Sequence, residues 1–133
     1  MPELPEVQTV VNSLGALINK KIIKFSYSWE KVIYNFSTKK FKDLIKSHTI
    51  KNITRKGKYI ILHLNKRYLI CHLRMTGYLY LSKNLPTDNR HTRCYFTLNN
   101  KEYLIFKDIR KFGGFYFYTS LYDLNKKIGI DPF

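Results

Sequence analysis

Apolar residues recur first at a helical interval and then at a strand interval. Val7, Val10, Val11, Leu14, Leu17 and Ile18 share one face at about 3.6 residues per turn, which predicts an amphipathic helix over Glu6–Ile18 that Gly15 weakens slightly. Ile22–Trp29 then alternates. Ile23, Phe25, Tyr27 and Trp29 would share the buried face of a strand, and Lys24, Ser26 and Ser28 the opposite one. Ser37 or Thr38 can cap a short second helix carrying Phe41, Leu44 and Ile45. Beyond it the pattern is β, with strands expected at Thr49–Thr54, Lys58–Asn65, Tyr68–Arg74, Gly77–Ser82, Arg93–Leu98, Tyr103–Lys107 and Gly114–Tyr118. Turn residues break them at Lys56-Gly57, Asn65-Lys66-Arg67, Pro86-Thr87-Asp88-Asn89 and Asn99-Asn100. Leu121–Lys127 reads as a closing helix. The pattern predicts a mainly β fold, a sandwich or a barrel, with flanking helices.

Composition narrows the partner more than the fold. The 133 residues suit one compact domain, and 44% hydrophobic content with 16% aromatic supplies a core. The 24 Lys and Arg against 9 Asp and Glu leave a net charge of +15, which calls for a polyanion, nucleic acid before anionic membrane. No apolar run approaches the roughly 20 residues of a membrane span, and the acidic start is unlike a secretory signal. Cys71 and Cys94 have neither zinc-ligand spacing nor a disulfide framework, so the default is a reduced, cytoplasmic protein with no metal in this chain. A monomer is expected.

Four stretches hold candidate chemistry. Removal of Met1, which a small Pro2 permits, would expose a secondary amine beside Glu3, with Glu6 three residues further on. An α-amino group titrates at about 7.7–8.0, so a useful fraction is nucleophilic near neutrality. A prolyl amine that condenses with a sugar carbon gives an iminium with no N–H to lose, a persistent electron sink that favours β-elimination. Glu3 is placed to move protons and Glu6 to hold a sugar hydroxyl, although Pro5-Glu6 equally suits an ordinary helix start. Between Lys31 and Arg74 stand twelve basic residues and one acid, Asp43, with aromatics interleaved. This reads as a phosphate-tracking surface, densest at Arg55-Lys56-Gly57-Lys58-Tyr59, where a tight turn at Gly57 would let lysines converge on one phosphate. Met75, between Arg74 and a polar turn, is either core filler or an exposed apolar tip. In Asp108-Ile109-Arg110-Lys111-Phe112-Gly113-Gly114, Arg110 and Phe112 lie two apart and in an extended segment point the same way, a cation and a flat ring suited to wedging into a base step. Alternatively Phe112 folds back into the core.

These stretches together resemble the N-terminal catalytic domain of the bacterial formamidopyrimidine-DNA glycosylases, in the formamidopyrimidine-DNA glycosylase/endonuclease VIII family. MPELPEVQTV is similar to the family's N-terminus, with Leu4 closer to the formamidopyrimidine branch. Residues 55–59 resemble its R-R-G-K-Y-L motif, residues 72–77 its H-L-x-M-x-G motif, residues 108–113 its D-x-R-[RK]-F-G motif, and residues 127–132 its hinge G-x-[ED]-P. The resemblance implies a two-layer β-sandwich with an N-terminal helix over residues 1–128 and the start of a hinge at 129–133, without the helix–two-turn–helix and zinc-finger domains of the family. It implies excision of oxidised purines, such as 8-oxoguanine and formamidopyrimidines, from damaged double-stranded DNA, followed by cleavage of the abasic site.

Site roles follow from the same resemblance. Pro2, Glu3, Glu6 and Lys58 would be catalytic. Lys58, His91, Arg93 and Arg110 would bind DNA, and Met75, Arg110 and Phe112 would fill the void left by the extruded base. His91 resembles the first His of a K-H-x-H motif, and Arg93 stands where the second would be. The family's zinc belongs to the finger, so no cofactor is expected in this chain, and its activity alone should be weak. Two alternatives stay open: a non-catalytic, basic DNA-binding module of the same fold, and a β-barrel RNA-binding protein, which would leave the PELPE terminus unexplained.

Overall fold

The computed structural model describes residues 4–128. In chain order these form α1 (Leu4–Ser13), a short 3-10 turn (Gly15–Leu17), β1 (Ile22–Tyr27), α2 (Thr38–Leu44), β2 (Asn52–Lys56), β3 (Tyr59–His63), β4 (Tyr68–His72), β5 (Gly77–Ser82), β6 (Thr92–Leu98), β7 (Tyr103–Asp108), β8 (Gly114–Tyr118) and α3 (Leu121–Ile128). The strands build two four-stranded sheets, ordered β1-β6-β7-β5 and β2-β3-β4-β8, with every strand pairing antiparallel. This is the expected sandwich. Among the described residues no helix is long and apolar enough to cross a membrane.

Phenylalanines knit the two inner faces. Phe115 of β8 meets Phe96 of β6 at 5.6 Å and Phe106 of β7 at 5.3 Å between ring centroids, both edge-on. Phe41 of α2 reaches both sheets, 4.9 Å from Phe25 and 5.3 Å from Phe117, and so fills the seam between edge strands β1 and β8. Ser37 caps this helix by accepting the Lys40 N–H at 3.3 Å. α1 packs against β2, β3 and β5 and covers the opposite seam through Val7, Val10 and Val11. Leu124 of α3 covers Ile61 and Ile70 on the outer face of the second sheet. Both faces of β3 and β4 are therefore buried, which is why their sequences run nearly continuously apolar.

The structure departs from the sequence reading in three places. The first helix stops at Ser13 and tightens into the 3-10 turn at Gly15, leaving Ile18 37% exposed. Leu44 is 47% exposed, so the buried face of α2 is Phe41 with Ile45. In β1, Ile22 pairs with Leu98 while Lys24 pairs with Thr97, a bulge that puts two strand steps against one. The bulge turns Ile23 outward, 47% exposed, and lets Ile22 and Phe25 both point into the core. Cys71 and Cys94 are free and buried, and burial pushes both thiols up, so neither is a ready nucleophile.

The bulge makes a prediction about neighbouring residues. Ile23→Lys should change unfolding free energy by no more than about 0.5 kcal/mol, whereas Phe25→Ala should cost about 3–5 kcal/mol, as read by denaturant titration.

Candidate nucleic-acid interface

Strand register collects the motifs at one end of the sandwich. Lys56 pairs with Tyr59, Tyr59 with His72 and His72 with Gly114, a row straight across the second sheet. In the first sheet Gly77 pairs with Asp108, whose N–H donates to the His91 carbonyl at 2.9 Å. The turn bearing Lys58, the Leu73–Thr76 turn bearing Met75, the approach to β6 bearing His91 and the Ile109–Gly113 turn bearing Arg110 and Phe112 all leave from this end. Gln8 of α1 accepts from Arg55 Nε here at 2.8 Å, while the Asn19 N–H reaches Ile50 at the far end. α1 therefore begins at the motif-bearing end. Pro2 and Glu3 lie outside the described residues. Glu6 falls on α1, and its side chain too is outside what is described.

The tips of two turns are apolar and exposed. Met75 is 53% and Phe112 46% exposed, and the two line one shallow cleft with Arg74 and Lys111. Neither tip is core filler, so of the paired readings open in the sequence the exposed one is the one observed. The Arg110 guanidinium lies 5.2 Å from the Phe112 ring centroid, a cation over an aromatic face. Ile109, which the sequence reading passed over, is 59% exposed beside them. Large apolar side chains exposed among cations mark a candidate interaction surface.

Asp108 holds these tips in place. It has no exposed surface, and its carboxylate accepts the N–H groups of Arg110 at 3.1 Å, Phe112 at 3.0 Å and Gly113 at 2.6 Å. The Thr76 hydroxyl donates to the same carboxylate, so one side chain ties the Met75 turn to the Phe112 turn. The Tyr34 hydroxyl donates to the Phe112 carbonyl, and burial pushes its pKa up, which keeps it a donor. Gly113 admits no side chain: a Cβ there would stand 2.8 Å from the Phe106 ring and 2.9 Å from the His72 carbonyl.

Arg93 departs from the expected phosphate contact. It is 8% exposed, and its guanidinium turns inward to the carbonyls of Asp108 at 2.7 Å, Ile109 at 3.3 Å and Arg90 at 3.4 Å. It braces the Arg110 turn from behind, because a bulge between Thr92 and Cys94 breaks the alternation that would have pointed it out. His91 is half-buried, with Nδ1 lacking a hydrogen-bond partner among the described residues. Lys58 is half-buried after Gly57, whose φ of 59° closes the turn. Among the described residues no three His, Cys, Asp or Glu side chains converge as a metal site.

The fold and this end of the sandwich can now be set beside known proteins. Residues 1–115 match the sequence profile of the formamidopyrimidine-DNA glycosylase N-terminal domain, and the chain belongs to that family. It is 37% identical to a formamidopyrimidine-DNA glycosylase of Protochlamydia amoebophila over 99% of this chain and 49% of the relative, and 38% identical to one of Streptococcus mutans over 99% and 50%. The structure of Lactococcus lactis Fpg with DNA containing an abasic site superposes with a TM-score of 0.84 at 31% identity, covering 96% of this chain and 49% of that one. The same protein bound to Fapy-dG DNA gives 0.84 at 32%. The chain thus spans about half the length of the relatives it matches.

The clamp generates a paired prediction. Thr76→Val should cost about 1 kcal/mol and speed amide exchange over residues 109–113, while Asp108→Ala, leaving three buried N–H groups without an acceptor, should cost on the order of 3 kcal/mol or more by denaturant unfolding.

Proposed function

We propose that this chain is the catalytic domain of a bifunctional DNA glycosylase and abasic-site lyase of base-excision repair, acting in the cytoplasm as a monomer on damaged double-stranded DNA. The observation that carries this reading is the pair of exposed apolar tips, Met75 and Phe112, held together at the end of the sandwich where α1 begins. The relatives' name supports formamidopyrimidines as substrates, 8-oxoguanine resting on the resemblance alone, and the abasic and Fapy-dG complexes of the Lactococcus protein support damaged duplex as the ligand.

In this reading the target nucleotide swings out of the helix, and Met75, Arg110 and Phe112 enter the gap. The Phe112 ring stacks on an exposed base step while Arg110, held over that ring, donates to the base left without a partner. Filling the gap offsets the few kcal/mol that unstacking and unpairing cost. Lys58 and His91 contact phosphates flanking the extruded nucleotide. The Pro2 amine attacks the sugar carbon bearing the base, and the C–N bond to the base breaks as Glu3 supplies a proton. The amine proton is lost and the C1′–O4′ bond opens, with a proton going to O4′, to give the iminium; this withdraws electrons from the neighbouring carbon, whose proton is then lost with expulsion of the 3′ phosphate. A second elimination releases the 5′ phosphate. Glu6 holds a sugar hydroxyl during these steps.

Borohydride trapping on abasic-site duplex tests the chemistry. Pro2→Gly should abolish or strongly reduce the covalent adduct while leaving the fold and duplex affinity intact, and Glu3→Gln should slow base release. An undiminished adduct in Pro2→Gly, or a chain that retains Met1 by mass spectrometry yet still forms the adduct, would remove the prolyl amine from the mechanism. Affinity should also fall with salt, each neutralised phosphate adding roughly 0.9 to the slope of log K against log salt. A salt-independent affinity would contradict the interface.

A further inference from the structure

The basic residues read along the sequence as one phosphate-tracking run do not share one surface. Arg55, Lys56, Lys58 and Arg74 lie at the motif-bearing end. Lys46, Lys51, Lys66 and Arg67 gather at the opposite end, where the Lys51 N–H donates to His63 at 2.7 Å and the Leu64 N–H to Arg67 at 2.9 Å. These four cations line one concave depression of about 440 Å³, together with Ser47 and Asn65. No carboxylate lines it, and among the described residues none of the four is in an ion pair. Lys21, bridged to Thr49 at its rim, adds a fifth positive charge.

We propose that this depression is a second, independent DNA-binding site that grips the phosphate backbone of another duplex segment while the lesion is held at the other end. β3 runs the height of the sandwich, and its five residues at about 3.3 Å each hold the two clusters farther apart than the Debye length of about 8–10 Å in physiological salt. The far cluster therefore contributes little to the field at the lesion and acts on what touches it directly. Crowded cations without neutralising acids repel one another, so an anion seated among them relieves a strain built into the fold. The flexible lysines suit phosphates at varying positions, as sequence-independent contact requires, and Ser47 and Asn65 add hydrogen-bond donors. No large apolar side chain lines the depression, so it lacks the apolar face with which a protein anchors in a lipid surface. A duplex held there gives the protein a grip on one segment while it samples another. The location rests on this chain's own charges, and only the lesion arm of the test below rests on the repair reading.

The test uses the full chain with two short duplexes, one carrying a stable abasic analogue and a donor dye, the other undamaged with an acceptor dye. With the lesion duplex saturating, energy transfer on adding the second duplex should report a ternary complex. Lys46→Gln, Lys51→Gln, Lys66→Gln and Arg67→Gln together should weaken the second duplex about tenfold or more, lower its salt slope by about 3–4, and leave lesion-duplex affinity within about twofold. The charge-matched control, Lys31→Gln, Lys39→Gln, Lys40→Gln and Lys42→Gln, should leave ternary formation intact. Saturation at one duplex per chain, equal loss from both quadruple variants, or stronger binding to anionic lipid vesicles than to the second duplex would overturn the proposal. Failure to prefer the abasic duplex while ternary complexes still form would count against the repair reading and not against this site.

Discussion

One buried carboxylate organises the working end of this protein. Asp108 closes the last row of the inner sandwich face, where a carboxylate without partners would be costly to bury. Here it is satisfied by three backbone N–H groups of the following turn and by the Thr76 hydroxyl across the cleft. Because the donors come from two turns, neither turn can move without breaking bonds to the other. Arg93 and Tyr34 brace the same turn through its carbonyls, so donors and acceptors of the Asp108–Gly113 backbone are held from opposite sides. The solvation cost of exposing Met75 and Phe112 is offset by this network rather than by packing of the tips themselves.

Register does the rest of the assembly. The motif-bearing turns are far apart in sequence, but antiparallel pairing returns each of them to the same end of the two sheets. α1 seals the seam between β2 and β5 and begins at that end, tied by the Gln8–Arg55 hydrogen bond. A stiff sandwich thereby offers a partner several side chains at fixed separation, which a set of mobile loops would have to order at an entropic cost on binding.

Much of this was legible in the sequence. All seven strands expected after the second helix form within three residues of their expected ends, because apolar alternation and turn residues agreed at each break. Ile23 was misplaced because it sits beside a bulge, and a bulge is a property of strand pairing that one strand's alternation does not carry. Arg93, given a phosphate role by resemblance alone, also sits beside a bulge and turns inward. Asp108 has no task in the sequence reading beyond its place in a motif. The available signal was an Asp two residues before Arg110 and shortly before a Gly pair, the pattern of a side chain accepting from its own following turn. The split of the basic run between two ends was hidden, because charge spacing along a chain says nothing about which end of a sandwich each turn occupies.

Met75 and Phe112, clamped as one unit by Asp108, are proposed to fill the gap left in a duplex. Fluorescence of 2-aminopurine placed opposite an abasic analogue reads base stacking at that gap directly. A marked rise is expected when the protein binds, little rise with Met75→Ala and Phe112→Ala combined at saturating protein, and an intermediate response with Thr76→Val. An equal rise from the wild-type chain and the double variant, both saturating, would contradict that proposal.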